Sequence, residues 1–239
     1  MHLDISELTE PFPAFRVAVV LFEGLAIGHG RPASLEAAIA AREAEARTLW
    51  QGKELSEIPA IAAWRQAYRA FGIKKTSYRS SVERLMKNVL AERALPVINP
   101  FVDAYNAVSL THVLPIGADD LDRITGDIAF RYARPGDSFL DMAGGDNGAE
   151  GSVEDPPKPG EVVYADAEKV LCRRWNWRQD ARSLVSGQTR RAVVTIQATG
   201  VGSVEAAAAD LISLIAAHCG GTACFVIADR AHPRAEIAG

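Results

Sequence analysis

Between Ala94 and Ala118 the chain carries a single formally charged side chain, Asp103. A stretch so poor in charge cannot present a helix face to water, so whatever it forms is packed inside the molecule. Asn99 followed by Pro100 marks a helix start: the Asn side chain caps free N–H groups of the first turn, and the proline ring presets φ there. At helical spacing Asn99, Asp103 and Asn106 fall along one stripe, apart from Val102, Tyr105 and Val108. A buried carboxylate beside a buried amide is costly unless both are hydrogen-bonded. The stripe therefore locks the fold or lines a pocket, and Asp103 is expected to accept at least two hydrogen bonds.

The remaining pattern is α+β. Ala14 to Leu21 reads as a strand. Ser34 is placed to cap a helix reaching about Trp50, Ser56 and Pro59 open a second that Gly72 ends, and Ser80 or Ser81 starts a third. Asp127 to Tyr132 alternates as a strand, Arg134 to Asp137 reads as a turn, and Glu161 to Ala165 with Lys169 to Arg173 suits a hairpin around Asp166. Arg191 to Ala198 reads as a buried strand, Ser203 caps a helix that is apolar nearly all round, and Thr222 to Ala228 reads as a final buried strand. The Gly-rich run Ala143 to Gly148 lacks the Lys-Ser/Thr pair of a phosphate loop and suits a hairpin tip. No linker separates two halves, so one domain spans 1–239, with a strand–helix extension over about 1–59.

A net charge of −4 argues against a protein that coats nucleic acid, and no DNA partner is expected. No apolar run reaches membrane-spanning length, and three cysteines (172, 219, 224) form no paired framework; both point to the cytoplasm. The histidines and cysteines show no metal-ligand spacing, so neither metal nor cofactor is expected. Charge is nevertheless uneven. Asp119 to Asp155 holds ten acids and three bases, whereas Arg173 to Arg191 holds six arginines and one acid. Those arginines either meet an anionic group or pair with the acidic segment.

Within that cluster, Arg173-Arg174-Trp175-Asn176-Trp177-Arg178 read as a strand puts both tryptophans on one face. The rings then stack on a base, wall an amino-acid-sized pocket, or pack in the core. Cys172, beside two arginines, is a weak candidate thiolate or a core residue.

Several ordered motifs resemble one family. Val102-Asp103 with Asn106, then Pro115 with Asp120 and Asp122, resemble the editing (B3/B4) domain of the phenylalanyl-tRNA synthetase beta subunit. Gly160 to Asp166, Cys172 to Arg178 and the strand after Thr189 are closer to its free-standing relatives, and the resemblance covers about Ala60 to Ala228. It implies a three-layer fold with an unusual β-sandwich flanked by helices. It also implies metal-free hydrolysis of an aminoacyl ester by a positioned water; the synthetase domain removes wrongly attached tyrosine from the phenylalanine tRNA. Three departures meet at the family's pocket. Gly117 stands for its histidine, Thr195 for its side-chain-reading glutamate, and the block around Trp175 for its Gly-rich floor.

The resemblance therefore implies an editing-like hydrolase acting in trans on an aminoacyl ester other than tyrosine. Asn176, Thr195 and Gln197 lie near the ester, and Asp103, Asn106, Gly117, Trp175 and Trp177 line the pocket. Arg173, Arg174 and Arg178 meet the acceptor end of tRNA. Two alternatives stay open: a non-catalytic module that binds tRNA or an aminoacyl group, and a hydrolase of small amino-acid esters.

Overall fold

Nine consecutive residues, Arg191–Thr199, form the strand around which the molecule is built, and all but its ends are buried. The computed structural model describes residues 1–74, 77–141 and 153–237; the Gly-rich tip expected at Ala143 to Gly148 lies outside them. In chain order the elements are β1 (His2–Asp4), β2 (Phe15–Glu23), α1 (Ala33–Trp50), α2 (Pro59–Ala70), α3 (Ser81–Leu90), α4 (Pro100–His112), β3 (Ile116–Asp120) and β4 (Ile128–Tyr132). There follow β5 (Leu140–Asp141), β6 (Val153–Glu154), β7 (Val162–Ala165), β8 (Val170–Arg173), β9 (Arg178–Gln179), β10 (Arg191–Thr199), α5 (Val204–Cys219), β11 (Thr222–Ala228) and β12 (Arg234–Glu236). One sheet runs β11-β2-β10-β3, a second runs β12-β1-β4-β7-β8-β9, and β5 pairs with β6.

Strand alternation sorts the core into two. Ala192, Val194 and Ile196 of β10, with Ala18, Val20 and Phe22 of β2, pack beneath α1, α3, α4 and α5. On the opposite face Val193, Val17, Val19 and Leu21 meet Leu3, Phe130, Val162 and Leu171 of the six-stranded sheet. The result is helices on a sheet on a sheet, an α+β fold with a β-sandwich. Both faces of β10 are covered, which is why its sequence is almost continuously apolar. β2 lies between β10 and β11 and matches β10 residue for residue from Phe15 to Glu23. No helix among the described residues is long and apolar enough to cross a membrane.

Capping behaves as expected where the side chain can reach. Asn99 Oδ1 accepts from the Val102 N–H at 2.9 Å and Ser203 Oγ from the Ala206 N–H at 3.1 Å. Ser34 does not cap α1; the helix begins at Ala33 with Pro32 before it, so Ser34 sits inside the first turn. Two burial expectations also change. β11 is an edge strand with Phe225 40% exposed and Cys224 exposed, because only β2 pairs with it. α5 buries one face only; alanines fill much of the other, so its composition exaggerates its burial.

Candidate active site

The polar interruptions of β10 locate the site. Thr195 and Gln197 lie on the face that β10 turns toward the second sheet, where their neighbours are apolar. On the adjacent edge strand β3, Gly117 pairs with Thr195 and Asp119 with Val193. Cross-strand partners share a face, so Gly117, Asp119, Thr195 and Gln197 look into the sandwich together. A Cβ added at Gly117 would meet nothing within 4 Å, and the space it leaves belongs to a recess of about 170 Å³.

The loop joining β8 to β9 closes one side of this recess. Arg174 and Trp175 have φ of 46° and 68°, left-handed values that side chains other than glycine adopt only under constraint. That turn breaks the expected alternation and sends the two tryptophans apart. Trp175 is fully buried, with Phe12, Phe15 and Trp64 edge-on to it at centroid distances of 4.7, 4.8 and 5.3 Å. It is core, not pocket floor. Replacing Trp175 by Ala is expected to cost about 3–5 kcal/mol, read as a shift in urea midpoint. Trp177→Ala should cost far less, because Trp177 is only partly buried.

Asn176, next in the turn, enters the recess and completes a relay of side chains. The Tyr68 hydroxyl donates to Asn176 Oδ1 at 3.0 Å, Asn176 Nδ2 to Gln197 Oε1 at 3.0 Å, and Gln197 Nε2 to Thr195 Oγ1 at 3.1 Å. Because Thr195 Oγ1 is an acceptor in this relay, its own O–H remains as a donor. Ser81 and Tyr164 also line the recess, and each has a buried hydroxyl without a hydrogen-bond partner among the described residues. Stranded hydroxyls of this kind weigh against folding by about 1–3 kcal/mol each, so the recess is suited to a polar ligand rather than to packing.

Among the described residues Asp119 is the one carboxylate on the recess wall, and the sequence alone does not single it out. It is 3% exposed and accepts from Ser183 Oγ at 2.6 Å and Gln179 Nε2 at 2.8 Å, both on Oδ1. Burial pushes its pKa up to about 7, and the two hydrogen bonds only partly oppose that rise. The signal available beforehand was the period-2 relation of Asp119 to Gly117, which needs the pairing with β10 to become informative. Burial, then Asp119, drives the Cys172 thiol well above its ordinary range, which argues against a thiolate nucleophile there. Among the described residues no group of three or more His, Cys, Asp or Glu side chains could hold a metal ion.

The recess opens into an outer chamber of about 450 Å³ that shares Tyr105, Trp177, Arg178 and Gln179 with it. Leu184 and Val185 wall the chamber's far side. They belong to an irregular segment along the free edge of β3, pinned by Ser183 to Asp119 and by Thr189 Oγ1 to Asp120 at 2.6 Å.

Other expected site residues separate. Asn106 lines the recess, but Asp103 does not; it is fully buried and accepts from Arg31 Nε and the Ile98 N–H, both at 2.9 Å. The polar stripe therefore splits, with Asp103 locking the fold. Arg173 is fully buried, its guanidinium held by Glu161 at 2.7 and 3.1 Å. Arg174 is 4% exposed and lies over the rings of Tyr78 and Trp177 at 3.8 and 4.2 Å. Neither offers a cation to RNA. Arg178 is partly exposed but pairs with Asp141 at 2.5 Å, Arg182 with Asp180 at 2.7 Å and Arg191 with Asp122 at 2.6 Å. Most of the arginine-rich stretch thus neutralises carboxylates, several from the acidic segment. The Trp177 ring, engaged by Arg174 and by Arg178 at 4.5 Å, is a wall of the chamber rather than a free stacking platform.

The chain belongs to the B3/4 domain family, whose model matches residues 63–220. Among solved structures it is similar to an N-terminal fragment of the phenylalanyl-tRNA synthetase beta subunit from Pyrococcus horikoshii, at 14% identity and a TM-score of 0.46. The match covers 92% of this chain and 49% of that one, so the chain spans about half the length of that fragment. No curated protein matches.

Proposed function

We propose that this protein hydrolyses an aminoacyl ester carried on tRNA, acting in trans in the cytoplasm, on a small polar amino acid rather than tyrosine. The observation that carries this reading is the buried Asp119 carboxylate, set in one recess with a donor-ended relay and two unpartnered hydroxyls. Membership of the B3/4 family supports the tRNA side of it.

The chemistry follows from the groups present. A water beside Asp119 attacks the ester carbonyl carbon, and its proton passes to the carboxylate as the new C–O bond forms. The Thr195 hydroxyl, with Ser81 or Tyr164, donates to the carbonyl oxygen as it becomes an oxyanion. The bond to the ribose oxygen then breaks, and the proton held by Asp119 goes to that oxygen. Products are the free amino acid and tRNA with its terminal hydroxyl restored. Asn176 and Gln197 do not react; they hold Thr195 in its donating orientation.

Specificity rests on the same polar lining. With Thr195 and one of Ser81 and Tyr164 engaged by the carbonyl oxygen, the other hydroxyl is left for the amino-acid side chain; a hydroxyl or amide on a short side chain would satisfy it, whereas tyrosine carries its one hydroxyl at the far end of a ring. Discrimination against a group that strands buried polar atoms is large. In a panel of charged tRNAs, release of a small polar amino acid should exceed release of tyrosine from the phenylalanine tRNA by on the order of 10² or more. Efficient tyrosine release would refute the specificity, and inactivity across the whole panel would refute the hydrolytic reading.

A further inference from the structure

We infer that the RNA strand reaching this site lies along the exposed face of α3, over Arg84 and Lys87, and not along the arginine-rich stretch that follows β8. The inference rests on the proposed tRNA substrate and identifies the surface that holds it.

A groove of about 440 Å³ abuts the outer chamber, and the two share Arg84 and Trp177. Its other lining residues are Ser77, Arg79, Lys87 and Asn88, so among the described residues it holds three cations and no carboxylate. A smaller depression adjoins it at Arg79 and adds Arg65, Arg69 and Lys74. Together the two surfaces carry six bases against one acid, Glu83. That acid is 1% exposed and is engaged by Arg65 at 2.7 Å and Arg79 at 3.3 Å. Arg84 and Lys87 are three residues apart on one helix and so share a face; both are exposed, and neither forms an ion pair among the described residues.

The contrast with the arginine-rich stretch decides between the two surfaces. Arg178, Arg182 and Arg191 each have a carboxylate within 2.7 Å, Arg173 and Arg174 are buried, and the exposed Arg190 is bonded to the Gly187 and Thr189 carbonyls and stands alone. Of the two surfaces, α3 is therefore the one that sets two exposed cations without ion pairs among the described residues, Arg84 and Lys87, side by side next to the chamber. Ser77 and Asn88 add neutral donors of the kind that bind phosphate oxygens. A strand whose terminal ester sits in the recess must leave through the chamber mouth, and this groove is the cationic surface that continues from it.

The test is the salt dependence of binding of an uncharged tRNA transcript to the full chain. Arg84→Gln/Lys87→Gln should weaken binding at least tenfold at low salt and flatten the slope of log K against log salt by about one per lost contact. Arg190→Gln/Arg191→Gln should leave both quantities as in the wild type. An unaltered slope in the α3 variant, or no tRNA binding by the wild type, would overturn the inference. Turnover of an aminoacyl methyl ester by the wild type is measured separately. Its absence would count against the hydrolytic reading, while a slope lost only in the α3 variant would still support the surface.

Discussion

Asp119→Asn is expected to lower ester hydrolysis by roughly 10²–10⁴-fold, the usual contribution of a positioned base, while making the protein more stable at neutral pH. Burial holds this carboxyl at about 7 in the folded chain against 3.8 for the free group. Between those values the folded state keeps a proton that the unfolded state has lost. Stability contributed by this group is therefore present below about pH 4 and is lost as pH rises to about 7. Activity that requires the carboxylate moves the other way, rising through about pH 7. Asn cannot titrate and still accepts the bonds from Ser183 and Gln179, so the variant should lose activity and, near neutral pH, gain melting temperature. Paired activity and melting profiles across pH 5–9 check both signs. A variant that is inactive because it melts lower would assign Asp119 a structural role only.

The second large effect concerns stability alone. Asp103→Ala should destabilise the fold by about 3–5 kcal/mol, the usual consequence of breaking a buried ion pair. The Arg31 side chain is 5% exposed and also binds Glu36 and the Pro96 carbonyl, so Asp103 ties α4 to the start of α1 and to the segment before α4. Without Asp103 the guanidinium loses its innermost partner, and the Ile98 N–H loses its acceptor. Replacing Arg31 and Asp103 together by apolar residues of similar size should recover much of the loss, because no buried charge is then stranded. Denaturant titration measures both. A loss below about 1 kcal/mol in the single variant would mean that Asp103 does not lock the helix.

Features with local causes were legible in the sequence. Asn99-Pro100, Ser203 and the missing charge around Asp103 place two helix starts and one buried helix, because capping and solvation act within a few residues. The β7–β8 hairpin and β10 were equally readable. Within the site Asn106, Gly117, Asn176, Thr195 and Gln197 converge on one recess. What escaped depends on distant partners or on strain. Nothing local announces a left-handed turn at Arg174-Trp175, so simple alternation runs on past the end of β8 and puts both tryptophans on one face. Whether β11 is central or at the edge depends on pairing, and whether an arginine is free depends on acids many residues away, as Arg191 and Asp122 show. Asp119 was hidden for the same reason: its face is set by the register of β3 on β10.

The segment pinned along β3 has an evolutionary corollary. Its ends are fixed by Ser183 and Thr189, and between them Leu184 and Val185 contribute chamber wall rather than reacting groups, with Val185 also packed into the helical core. Changing the size of the Leu184 side chain would reshape the entrance without shifting the register of any strand. The proton-handling residues sit on β3 and β10, whose geometry is held by the whole sandwich. A fold arranged this way can change its clientele at the chamber wall while its chemistry stays in place, and Leu184 is where a designer would redirect it.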